Sequence, residues 1–226
     1  MPSPTGGWSL IDAVLDNLDV FREGFVRTLL LSLFSAAAAL VLGSLLATMR
    51  VSPVPPLRWA GATYVEIVRN TPLTVVFFFV VFVLPQIDVV FSYFTFAVVA
   101  LTVYHTAFVC EAVRAGVNGV DAGQAEAARA LGLTFPQTLR LVILPQAFRN
   151  VIQPLGSVGS ALIRNTSIAA AFGVQELTGV SQGLTTANPS HVIALLLAGI
   201  VCYLILTLSL AAGVGVAERR LAAVPR

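Results

Sequence analysis

The chain has 226 residues, 57% of them apolar and only 11% charged, whereas a soluble domain carries about 25% charged residues. With a mean hydropathy of +0.89, the main solvent of this chain is lipid. Its formal charge is +2 and all 13 basic residues are arginine; the missing lysine excludes a P-loop, and so small a net charge gives no footing for nucleic acid.

Segment 1–25 is expected to lie outside the membrane. It carries Asp12, Asp16, Asp19 and Glu23, unlike the short basic start of a cleavable signal. Apolar stretches follow at about 26–48, 58–84, 93–113, 151–173 and 192–216, each long enough to cross about 30 Å of hydrocarbon. The expected fold is an all-α integral membrane protein with five transmembrane helices, a single membrane domain over 26–217 and a tail at 218–226. The first stretch is free of charge from Leu29 to Thr48, whereas Glu66 and Arg69 interrupt the second and Arg164 the fourth.

Arginine placement sets the direction. Arg50 and Arg58 fall between stretches one and two. Arg114, Arg129, Arg140 and Arg149 fall between three and four, and Arg219, Arg220 and Arg226 lie in the tail, while 85–92 and 174–191 hold none. The positive-inside rule then puts the N-terminus outside and the C-terminus in the cytoplasm, with Arg22 and Arg27 as a mild exception.

The connection 114–150 is too long for a plain turn. Its run Gln124-Ala125-Glu126-Ala127-Ala128-Arg129-Ala130-Leu131 is made of helix formers, Gly132 suits a C-terminal cap, and Pro136 suits the first turn of a second short helix that Pro145 interrupts. A short helix with small residues on one face is suited to docking in another protein's groove; a solvated linker is the plainer alternative.

Taken together, Glu126-Ala127-Ala128, Gly132 with nine residues between it and Val142, and the closing Leu144-Pro145 resemble the "EAA" motif of ABC-importer permeases. The flanks Glu111, Arg114, Gly116, Gly123, Gln124, Gln137, Arg140, Gln146, Ala147 and Arg149 are similar to the polar-amino-acid branch. So are Glu66 with Arg69-Asn70-Thr71-Pro72-Leu73, and Arg164-Asn165-Thr166-Ser167. The run Met49-Arg50-Val51-Ser52-Pro53-Val54 is similar to glutamate-uptake permeases. The resemblance covers Thr28 to Arg220; Ser157 departs from it where many relatives place Asn.

The resemblance implies a permease of the type I ABC-importer fold that forms the translocation path for polar amino acids, glutamate foremost. It implies a bacterial plasma-membrane location, a second permease chain, a separate ATPase dimer using ATP and Mg, and an extracytoplasmic binding protein. It implies no enzymatic activity and no cofactor in this chain. Glu126, Ala127, Ala128, Gly132, Leu144 and Pro145 become the expected coupling residues.

The charged and polar groups in the membrane leave alternatives open. Arg164, with Asn165, Thr166 and Ser167, either lines the path and donates to an amino-acid carboxylate, or pairs with Glu66 or Glu111. Arg69, Asn70 and Thr71 precede Pro72, where a helix break frees carbonyls beside a cavity; packing is the competing role. Glu66 with Arg69, and Glu111 with Arg114, are three apart and suit structural ion pairs. Gly156, Gly159 and Ser160 are expected to pack against the partner permease. His105 and Cys110 have no companion ligands, so a core role is expected and no metal. Two rival functions remain: a stand-alone secondary transporter or channel, which calls for paired internal repeats, and an intramembrane enzyme, for which no nucleophile and base are evident.

Overall fold

The computed structural model describes residues 10–222; Arg226 and the first nine residues of segment 1–25 lie outside them. A short helix α1 (Leu10–Leu15) precedes α2 (Leu18–Val51), whose 34 residues rise about 51 Å. Apolar residues surround α2, and beside the buried Phe21 and Leu31 its buried face is marked by a stripe of small side chains: Thr28, Ser32, Ser35, Ala39, Gly43 and Ala47, at steps of three or four. That stripe packs on α5 (Tyr93–Asn118). At Gly43 a Cβ would stand 2.6 Å from the Val109 side chain and 2.9 Å from the Thr106 carbonyl.

The second stretch is one sequence run but two helices. α3 (Pro55–Asn70) and α4 (Leu73–Phe78) meet at Thr71-Pro72, and α3 makes an angle of 105° with the helical run Leu73–Ile87. Proline disfavours helical backbone at the preceding residue, and Thr71 is extended, φ −97° and ψ 132°. The freed carbonyls are capped locally: Asn70 Nδ2 donates to the Glu66 carbonyl at 2.8 Å and Thr71 Oγ1 to the Ile67 carbonyl at 2.8 Å. Beyond α4 a π turn (Phe79–Val83) and a 3-10 turn (Leu84–Ile87) complete the run. Of its four phenylalanines, Phe77 is buried and stacks on Phe172 with centroids 5.0 Å apart, whereas Phe78, Phe79 and Phe82 are exposed.

α5 leads to α6 (Ala122–Ala130), α7 (Phe135–Thr138), a π turn (Leu139–Ile143) and α8 (Leu144–Asn165). The fourth stretch thus begins seven residues before the expected position 151. Pro145 does not interrupt a helix; it sits in the first turn of α8, where a missing N–H costs nothing. α8 closes on α5 so tightly that a Cβ on Gly116 would collide with the Val151 side chain. A 3-10 segment (Thr166–Phe172) follows, and Gly173 turns the chain at φ 84°.

The segment 174–191, expected as a plain outer connection, folds into α9 (Leu177–Ala187) with Leu177, Gly179, Val180 and Ser181 buried. α10 (Val192–Ala222) then takes in the start of the expected tail. Gly156 and Gly159 face Val214 and Leu210 of α10, with added Cβ atoms 2.8 and 3.0 Å from those side chains. These glycines pack within the chain instead of against a partner permease. Three described helices are long and apolar enough to cross a membrane, Leu18–Val51, Tyr93–Asn118 and Pro189–Leu221, and the bent pair adds a fourth crossing if it counts as one. α8 has 22 residues, but Arg149, Gln153, Ser157, Ser160 and Arg164 give it a polar side.

Candidate functional site

Two regions collect the chemistry-bearing residues. The first is the unit from α6 to the start of α8. Asp121 caps α6, its Oδ1 accepting from the Gly123 N–H at 2.7 Å. At the other end the Leu133 N–H bonds the Ala128 carbonyl at 3.1 Å and the Gly132 N–H bonds Arg129 at 2.9 Å, with Gly132 at φ 80°. This is the paired closure that a left-handed glycine permits. Gln137 Oε1 then accepts from the Thr134 N–H at 2.8 Å and fixes the start of α7.

Glu126 and Ala127 are exposed, but Ala128 is buried at the face of α6 turned toward α7 and the π turn. Leu131 is 83% and Phe135 77% exposed on either side of Gly132; the sequence reading took Leu131 only as a helix former and passed over Phe135. Pro145 lines a cavity of about 740 Å³ with Gly119, Asp121, Gln124 and Arg149, and Leu144 lies beside it, partly exposed. Gln146 Nε2 donates to the Val142 carbonyl at 2.9 Å and lies 3.4 Å from Gln124 Oε1, tying α6 to α8.

The second region lies among α2, α3, α5 and α8. Glu111 accepts from Arg50, and from Arg114 at 2.8 Å, while Arg69 approaches it at 3.8 Å. The Glu111–Arg114 pair is therefore present, but Arg69 turns to Glu111, and Glu66 has no ion pair among the described residues. The Arg69 guanidinium also lies 5.5 Å from the Phe108 ring centroid, within range of a cation–π contact. Arg50, Glu66, Arg69, Asn70, Phe108, Glu111 and Arg114 line a cavity of about 410 Å³.

Across Phe108 a second cavity of about 280 Å³ is lined by Tyr104, His105, Ser157 and Asn165. His105 is buried, and its Nδ1 donates to the Leu101 carbonyl at 2.8 Å. Nε2 is then the acceptor for Asn165 Nδ2 at 3.2 Å. Thr166 is buried and bonds the Ile163 carbonyl, and Ser167 bonds the Arg164 carbonyl. Thr71, Thr166 and Ser167 thus close helix ends with their hydroxyls. Arg164 pairs with neither Glu66 nor Glu111. It is exposed and lines a further cavity with Gln153, Ser157, Ser160 and Glu218. Among the described residues no three of His, Cys, Asp and Glu converge as metal ligands.

Glu176 went unnoticed in the sequence. It is fully buried, and its Oε1 accepts from the Thr178 and Gly179 N–H groups at 2.9 and 3.0 Å. Its Oε2 accepts from Tyr203 at 2.6 Å and Thr28 at 3.3 Å. One side chain thereby joins α2, the N-terminus of α9 and α10. An acidic residue just ahead of a helix was the available signal.

Residues 39–223 match the family described as the binding-protein-dependent transport system inner membrane component. The chain belongs to this family. As such a transport component it is 38% identical over 211 residues to the probable glutamine ABC transporter permease protein GlnM of Bacillus subtilis (strain 168), covering 93% of this chain and 97% of that one. It is 40% identical over 210 residues to the glutamate transport system permease protein GluC of Corynebacterium glutamicum, covering 88% and 92%. Among solved structures, an amino acid ABC transporter crystallised with histidines superposes with a TM-score of 0.85 at 29% identity, over 92% of this chain and 96% of that one. The transport component is thus an ABC-importer permease in sequence and in fold.

Proposed function

We propose that this chain is the permease subunit of an ATP-driven importer of polar amino acids, with glutamate as its main cargo, in a bacterial plasma membrane. It crosses five times, N-terminus outside, and pairs with a second permease chain. An extracytoplasmic binding protein delivers the cargo; a separate ATPase dimer binds ATP and Mg. The observation that carries this reading is the α6 unit. A capped helix presents Glu126 and Ala127, with Leu131 and Phe135 exposed around Gly132, on a segment whose arginines mark the cytoplasmic side. Exposed apolar side chains of this kind call for a protein partner. Closure of the ATPase dimer pulls on α6, and the Gln146 link and the continuous run into α8 pass that displacement to the membrane helices. Arg69, Asn70, Thr71, Arg164, Asn165, Thr166 and Ser167 border the path.

Gly132 is the point of test. Any side chain at its φ of 80° is strained by about 1–2 kcal/mol, and Gly132→Leu shifts the end of α6. The complex carrying it is expected to hydrolyse ATP while uptake falls about tenfold or more. Full uptake by this variant would overturn the coupling role.

A further inference from the structure

One face of α8 borders two unlike cavities. Pro145, Arg149, Ile152, Gly156 and Gly159 recur at steps of three or four, so they form one stripe of the helix. Pro145 and Arg149 line the cavity of about 740 Å³ that lies where α5 ends and α6 begins. Ile152, Gly156 and Gly159 line a crevice of about 310 Å³, which Ala36 and Leu40 of α2 and Val214 of α10 close from the sides. Every residue lining this crevice is apolar or glycine, and Leu40 is exposed, so the crevice is open to hydrocarbon.

The larger cavity carries one charge of each sign. Arg149 is half-buried and Asp121 exposed, and neither has an ion pair among the described residues. Asp121 Oδ1 accepts from the Gly123 N–H, which leaves Oδ2 for another donor. Gln124 and Gln146 add amides to the wall. The arginine distribution puts this cavity at the cytoplasmic surface of the membrane, with the crevice in the hydrocarbon above it.

Arg149 calls for an anion, Asp121 for a cation and the crevice, one helical turn deeper, for an apolar tail; a single zwitterionic lipid supplies all three. We propose that the two cavities hold a phosphatidylethanolamine of the inner leaflet. Arg149 binds the phosphate through its guanidinium fork, Asp121 takes the ammonium, and one acyl chain lies along the Ile152, Gly156 and Gly159 stripe between α2 and α10. An anionic phospholipid fits less well, because without an ammonium its charge faces Asp121 unopposed. The bound headgroup spans α6 and α8, so the inner leaflet holds the α6 unit against the membrane helices.

The test is equilibrium binding of radiolabelled dioleoyl-phosphatidylethanolamine to the delipidated permease–ATPase complex in detergent, with dioleoyl-phosphatidylglycerol and tail-free glycerophosphoethanolamine as competitors. The wild-type complex is expected to bind phosphatidylethanolamine about tenfold or more tightly than either competitor. Asp121→Asn keeps an N-cap for α6 and is expected to erase the preference over phosphatidylglycerol, while Arg149→Gln is expected to weaken both lipids about tenfold. Ala36→Phe fills the crevice and is expected to bring phosphatidylethanolamine down toward the affinity of the tail-free headgroup. Assembly of each variant is checked by its elution with the ATPase; if A36F fails to assemble, Ala36→Leu must show a smaller loss of the same sign. A complex that binds no phosphatidylethanolamine, its crevice filled by the second permease chain or its cavity by the ATPase, overturns the proposal. So does a wild-type complex without preference over both competitors, or assembled D121N and R149Q complexes with unchanged affinities. The importer reading is scored separately, by ATP-dependent uptake, and stands whatever the lipid result.

Discussion

A carboxylate inside a membrane protein needs either a cation or enough donors to replace water, and Glu176 has taken the second course. Two backbone N–H groups at the start of α9 and the hydroxyls of Thr28 and Tyr203 surround it, and the positive end of the helix adds to their effect. Removing the carboxylate orphans several donors at once, each unsatisfied group costing about 1–3 kcal/mol. Glu176→Ala is therefore expected to lower the thermal midpoint of the detergent-solubilised complex more than Tyr203→Phe, which removes one donor to a charged acceptor, worth about 1.5–3 kcal/mol. Equal midpoints for the two variants would contradict this account. The Glu111–Arg114 spacing was legible because a turn of helix brings the two together. The Glu66–Arg69 spacing misled because Arg69 also reaches a carboxylate on another helix, a choice that spacing within one helix does not encode.

At the scale of helices, α2 shows what lipid does to sequence patterns. Lipid-facing and core-facing sides are both apolar, so amphipathic contrast vanishes and the small-residue stripe remains as the mark of the seam with α5. Gly43→Val forces a branched side chain against Val109 and the Thr106 backbone. A loss of about 1–3 kcal/mol is expected, read as a lower thermal midpoint and a reduced yield of assembled complex. The α6 unit was legible almost to the residue, because its helix formers and its left-handed Gly132 are local signals in water. α9 was not. Its glycines and threonines read as a loop, and burial of Leu177 and Val180 against α2 and α10 is what folds it.

For the molecule as a whole, the arginine distribution gives an orientation open to direct measurement. A cysteine placed at Thr134 in intact cells is expected to resist a membrane-impermeant thiol reagent, and one placed at Gln182 to react; the reverse pattern would overturn the orientation and with it the coupling role of α6. The native thiols do not interfere, since Cys110 is buried and Cys202 half-buried. Thr134 and Gln182 are both exposed.

The two π turns, Phe79–Val83 and Leu139–Ile143, each stand just ahead of a proline, Pro85 and Pro145. A turn wound with one surplus residue moves the carbonyl that the proline ring would strike. It also advances the angular phase of everything downstream by about 100°. The azimuth at which α7 leaves α8 is thus set by a single inserted residue that proline keeps from being rewound, in the manner of a keyed shaft. Deleting one residue from 139–143 would turn α7 relative to α8 by about 100° with every individual helix intact.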